Sequence, residues 1–161
     1  MTLKVGDNVP NVTLYHMTAD GPAAITTEEL FSGKKVVLFA LPGAFTPTCS
    51  AKHVPGFVQH AEAIKAKGVD TIACLSVNDA FVMGAWGGDQ GVGDKVLMLA
   101  DGSADFTKAA GLELDLTGRG FGLRSQRYAM VVEDGVVKSL HVEPDGGGLE
   151  VSSAENILSE L

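Results

Sequence analysis

Residues 41–50 read LPGAFTPTCS and place a thiol, Cys49, shortly after a hydroxyl, Thr46, and a proline, Pro42. An apolar run ends at Leu41 and a helical pattern begins within the segment, so Cys49 falls in a loop and first helical turn. The first turn of a helix carries unsatisfied N–H groups and partial positive charge, and both favour a thiolate. A cysteine at an arbitrary position is more often a small buried hydrophobe; position and neighbours argue otherwise here. Thr46 brings a hydroxyl able to donate to a thiolate or to a bound oxygen, and Pro42 can cover the site. The chemistry implied is nucleophilic attack by sulfur.

Three apolar runs, KKVVLFALP (34–42), VDTIACLSV (69–77) and DKVLMLAD (94–101), read as strands buried on both faces. Between the first two, Phe57, Ala61 and Ile64 give the spacing of an amphipathic helix, bent at Pro55 and stopped at Gly68. In open α/β sheets ligands gather at the carboxyl ends of the strands, which is where Cys49 lies. Asn78 and Asp79 can cap a helix through AFVMGAWGG, and SADFTKAAG (103–111) reads as a short helix ending at Gly111. Glycines 87, 88, 91 and 93 mark a loop, and PDGGG (144–148) marks another. RYAMVVEDGVVKSLHVE reads as two strands joined at Asp134-Gly135, and SSAENILSEL as a closing helix, with Ser152 and Glu155 at capping-box spacing. The sum is an α/β fold with a mixed central β-sheet flanked by helices, the thioredoxin-like arrangement.

At 161 residues the chain suits one domain, 1–161, with no repeat and no linker. Its net charge of −8 disfavours nucleic acid and anionic membrane as partners, because phosphate binding needs clustered Lys and Arg. The N-terminal MTLKVGDNVP lacks a signal peptide's apolar region, and nothing approaches the ~20 apolar residues of a membrane span, so a soluble, cytoplasmic protein is expected. Two cysteines, Cys49 and Cys74, are too few for a disulfide framework and too few for zinc without other ligands.

The spacing Pro42-x3-Thr46-x2-Cys49 resembles the peroxiredoxin motif P-x-x-x-(T/S)-x-x-C, and PGAFTPTCSAKHVPGF is similar to the type-II, or type-5, branch. The likeness extends through GKKVVLFALPGAFTPTCS, VNDAFVMGAW and RSQRYAMVVEDGVVKSLHVEP, nearly the whole chain. It implies that Cys49 is the peroxidatic cysteine, Thr46 the hydroxyl contacting thiolate and peroxide, Pro42 the shield over the sulfur, and Arg127 the guanidinium that completes the site. Arg is permanently charged and planar, so it can both stabilise a thiolate and orient a peroxide oxygen. The implied reaction is attack of the thiolate on a peroxide oxygen, hydrogen peroxide or an alkyl hydroperoxide, leaving a sulfenic acid on the enzyme. No cofactor and no metal is required. Regeneration by glutathione with glutaredoxin is implied, with thioredoxin as runner-up, because GGGLEVSSAEN holds no resolving cysteine and has Val151 near that place. A homodimer is also implied, with some of Phe45, Phe81 and Trp86 on an apolar rim.

Rival readings use the same residues. Cys49 and His53 share a helical face and could form a Cys–His pair or half of a metal site, although a histidine there is more often structural. His16, His60 and His141 show no spacing that improves either case. Arg124 competes with Arg127 and is expected to order the neighbouring network instead. GRGFG, with glycines 118, 120 and 122, lacks the strand and helix of a nucleotide loop. A non-enzymatic thiol sensor or chaperone-like module is compatible with the fold, whereas a disulfide reductase is weakened by the missing CxxC. Cys74 lies in mid-strand, about 13 Å below the rim at ~3.3 Å per residue, so pairing with Cys49 is not expected.

Overall fold

Along β3 (Lys35–Ala40) alternate side chains leave for opposite faces. Val37 and Phe39 enter one apolar cluster, and Val36, Leu38 and Ala40 enter another. A central strand buried on both sides must be apolar throughout, which is why 34–42 reads as one continuous run. The computed structural model describes residues 2–144 and 148–161. Its main sheet has seven strands, beginning at one edge with β2 (Gly21–Thr26) and β1 (Thr13–Thr18), in the order β2-β1-β5-β4-β3-β8-β9. β3, β4 (Thr71–Ser76) and β5 (Leu97–Ala100) are parallel. β8 (Tyr128–Glu133) runs antiparallel to β3 and pairs with β9 (Val136–Val142). This is the mixed sheet of a thioredoxin-like α/β fold.

On the first face lie α2 (Val54–Lys65), α3 (Ala80–Gln90) and α5 (Ala154–Glu160), which bury Phe57, Ile64, Met83, Trp86 and Ile157. On the second lie α1 (Thr27–Phe31) and α4 (Asp105–Ala110), with Leu30, Phe31 and Phe106. Between β8 and β9, Asp134 (φ 48°) and Gly135 (φ 79°) both adopt left-handed backbone, as a tight hairpin turn demands.

Beyond the elements expected from the sequence, the fold contains the hairpin of β1 (Thr13–Thr18) and β2 (Gly21–Thr26), α1 with its Thr26–Glu29 capping box, and a second hairpin, β6 (Glu113–Leu116) with β7 (Gly122–Ser125). Two expectations change. Gly87 and Gly88, assigned above both to the helix through AFVMGAWGG and to a loop, lie inside α3; a Cβ on Gly87 would come within 2.9 Å of Met98, so this glycine lets the helix approach β5 closely. The cap of α5 is Ser153, whose hydroxyl accepts from the Asn156 N–H at 3.2 Å; Ser152 is bound to Glu143 instead. Of the three aromatics expected in the core or, in part, on an apolar rim, Trp86 is fully buried, whereas Phe45 and Phe81 are exposed. Of the loop expected at 144–148, residues 145–147 lie outside the described residues.

Candidate active site

The chain leaves β3 at Leu41, whose N–H still reaches the Leu75 carbonyl. Asn78, at the end of β4, accepts from the Ala44 N–H at 3.0 Å and the Ser76 hydroxyl at 2.6 Å, tying the loop to the neighbouring strand. Asp79 takes the capping role for α3. Phe45 turns the chain with a left-handed backbone, φ 63°, unusual for a bulky residue. The Ser50 N–H then returns to the Thr46 carbonyl at 3.0 Å, starting the helix with Pro47 in its first turn, where a missing N–H costs nothing. Trp86 secures this turn through its indole N–H on Ser50 Oγ at 3.0 Å.

Residues Cys49–His53 form a π-helical turn in which the Val54 N–H bonds the Cys49 carbonyl, followed directly by α2. Pro55 lacks an N–H and its ring would collide with the carbonyl four residues back, so a widened turn before it relieves the clash. The bend expected at Pro55 takes this form.

Cys49 has no exposed surface. Its sulfur accepts from Arg127 Nη2 at 3.2 Å, and Arg127, just before β8, is itself buried. The guanidinium is thus fixed against the sulfur in a poorly solvated site. Arg127 Nη1 donates to His53 Nδ1 at 2.9 Å, and His53 Nε2 donates to the Ser152 carbonyl at 2.9 Å. Both ring nitrogens are therefore occupied and neither can ligate a metal or take a proton from Cys49. Burial, assisted by the Arg127 charge and opposed by the Ser152 carbonyl, lowers the His53 pKa to about 3. Neither the Cys–His pair nor the half metal site is formed, and His53 contacts the guanidinium instead.

The Thr46 hydroxyl donates to the Gly43 carbonyl at 2.7 Å, which commits its proton and leaves its oxygen able to accept. Arg124 does not reach the sulfur: Nε donates to the Phe121 carbonyl at 2.9 Å and Nη1 to the Pro42 carbonyl at 3.4 Å. It also lies 5.6 Å from the Phe121 ring centre, bracing the loop as expected. Pro42, Thr46 and Arg127 line a cleft of about 530 Å³ to which the β6–β7 hairpin contributes Leu114, Leu116 and Phe121 together with the charged Asp115 and Arg119. The apolar part of this lining was missed in the sequence.

Cys74 pairs with Phe39 and Met98 in mid-sheet and is fully buried. Burial pushes its thiol well up, as does the Cys49 charge, against a smaller opposing effect of Arg127. It is the poorer nucleophile.

The Redoxin family model matches residues 4–158. Peroxiredoxin-2E-2, chloroplastic, of Oryza sativa subsp. japonica is 54% identical over 99% of this chain and 73% of its own length. Peroxiredoxin-2B of Arabidopsis thaliana is 49% identical over 99% of this chain and 98% of its own. Among solved structures, reduced Prx3 of Vibrio vulnificus in complex with H2O2 superposes with a TM-score of 0.94 at 56% identity, covering 99% of each chain.

Proposed function

Because the chain belongs to the type-II peroxiredoxins of the Redoxin family, it is an antioxidant peroxidase with peroxidatic Cys49 near Arg127, and we propose that it reduces hydrogen peroxide and alkyl hydroperoxides at the expense of glutathione and glutaredoxin. The observation that carries the reading is the 3.2 Å contact of Arg127 Nη2 with the Cys49 sulfur. The thiolate attacks the nearer peroxide oxygen in line with the O–O bond; sulfur becomes a sulfenic acid and the other oxygen leaves as alkoxide or hydroxide, taking a proton to give alcohol or water. Charge moves from sulfur to the leaving oxygen, so donors that serve both atoms stabilise the transition state more than the ground state. Arg127 serves both; Thr46, its own proton held by Gly43, accepts from the peroxide O–H and orients it. Pro42 keeps bulk water from the sulfur. The Leu114, Leu116 and Phe121 wall gives an alkyl chain an apolar surface, which extends the substrate range beyond hydrogen peroxide.

Glutathione then attacks the sulfenic acid, releasing water and leaving a mixed disulfide that glutaredoxin reduces with a second glutathione. External resolution fits the buried, poorly nucleophilic Cys74 and the absence of a cysteine near Val151. Two exposed rings, Phe45 and Phe81, fit a homodimer seam beside the motif loop. The two free thiols fit a reducing, cytoplasmic setting, with the whole chain, 1–161, working as one domain. The test is a reductant panel with one peroxide: sustained turnover with glutathione and glutaredoxin is expected. Turnover with thioredoxin alone would transfer the reductant role, and a single turnover with every reductant would make the protein a sensor.

A further inference from the structure

We propose that His53 is a positioning residue for Arg127: its Nδ1 lone pair fixes the guanidinium against the Cys49 sulfur, and residues 150–152, gathered by Glu143, fix the ring. The inference rests on the reading of Arg127 as the group that activates Cys49.

A guanidinium has five donors in one plane, so a contact to sulfur alone leaves that plane free to turn. The second contact, Nη1 to His53 Nδ1 at 2.9 Å, sets the plane. It also fixes the imidazole tautomer: Nδ1 must offer its lone pair, so Nε2 carries the hydrogen and needs an acceptor. That acceptor is the Ser152 carbonyl at 2.9 Å. Ser152 is held in turn by Glu143, whose Oε2 accepts from the Ser152 N–H at 2.8 Å and hydroxyl at 2.6 Å, and from the Glu150 and Val151 N–H groups at 3.0 Å each. The Glu143 N–H donates to the Arg127 carbonyl at 2.9 Å, which closes the circuit on the residue where it began. His53, Arg127, Ser152 and Glu143 are all buried. A histidine that only filled space would need partners for its two nitrogens; it would not need one of them to be the group on the reactive sulfur.

The experiment is a double-mutant cycle on the full chain, read as the rate of Cys49 oxidation by hydrogen peroxide. His53→Leu removes both nitrogens and is expected to slow oxidation about ten- to a hundredfold, the range for losing a hydrogen bond to a buried charged group. His53→Asn keeps an acceptor near the Nδ1 position and is expected to recover most of that loss. In an Arg127→Ala background His53→Leu should change the rate less than about twofold, because what it positions is gone. If the Leu variant does not fold, Glu143→Gln replaces it in the cycle, with a smaller loss that again disappears without Arg127. A loss of equal size with and without Arg127, an Asn variant no faster than Leu, or wild-type oxidation by the Leu variant would each overturn the proposal. Arg127→Ala alone tests the reading underneath: if it oxidises at the wild-type rate, that reading fails before the cycle begins.

Discussion

Acid should destabilise this protein through His53 in a way that one substitution isolates. The ring is enclosed by Phe39 and Phe57, whose centroids lie 4.9 and 5.6 Å away, with the Arg127 guanidinium on Nδ1 and the Ser152 carbonyl on Nε2. Its pKa falls from 6.5 to about 3 on folding, by burial first and the Arg127 charge second. A group whose folded pKa is depressed binds protons mainly in the unfolded state, so its contribution to stability is intact above pH 6.5 and is lost as pH falls towards 3. Integrating between those limits gives a loss of about 2 kcal/mol by pH 5 and about 3 kcal/mol by pH 4. Urea unfolding of wild type and His53→Asn from pH 7.5 to pH 4 measures it. Other acid-sensitive groups, Glu143 among them, remain in both proteins and cancel in the difference. Wild type should lose about 2 kcal/mol relative to the variant between pH 7 and pH 5. Parallel curves would refute the reasoning, since a ring that titrates alike in both states is not held neutral by the fold.

Cys49→Ser is expected to abolish peroxide turnover while Cys74→Ser retains most of it, measured in a coupled peroxidase assay; equal losses would end the single-nucleophile account. Arg127→Ala should slow Cys49 oxidation about ten- to a hundredfold, from ~1 to 3 kcal/mol of lost contact. Arg124→Ala, which removes hydrogen bonds to the Phe121 and Pro42 carbonyls and none to the sulfur, should cost less, and stopped-flow oxidation of the two variants ranks them. Sedimentation at micromolar concentration should show a homodimer, and Phe81→Glu should shift it towards monomer; a wild type that is monomeric and fully active removes that claim.

How much was legible in the sequence depended on the range of the interaction. β3, β4 and the β8–β9 hairpin follow from local alternation and from Asp134-Gly135, and the Pro42, Thr46 and Cys49 spacing lies within one loop. The partner of the sulfur was reachable only through resemblance, because Arg127 is 78 residues away. His53 was read as a packing residue since nothing local reveals Arg127, 74 residues on, or Ser152, 99 residues on. Gly87 suggests a loop because propensity counts its cost in a helix; the benefit, close approach to Met98, is tertiary. The β6 alternation was visible but spans only four residues, too short to separate from a loop.

Oxidation and regeneration make opposite demands on the same atom. Peroxide reduction is served by a sulfur without exposed surface and by donors that do not move. On the proposed external resolution, a mixed disulfide requires an incoming thiolate in line with the S–O bond, and a sulfur without exposed surface offers no such line, so the chain at Cys49 is expected to open first. Opening it does not bring in Cys74, which stays locked in register with Phe39 and Met98. The step from thiolate to sulfenic acid removes the negative charge, and a hydrogen bond between a guanidinium and a neutral acceptor is weaker than one to an anion. The Arg127 contact that stabilises the reactive form is therefore expected to slacken once the sulfur is oxidised, while the His53 contact, at the far end of the turn from Cys49, keeps the guanidinium in place. The chemistry that calls for an opening at Cys49 thus weakens one contact that opposes it, and the site that receives the reduced sulfur stays assembled at its His53 end.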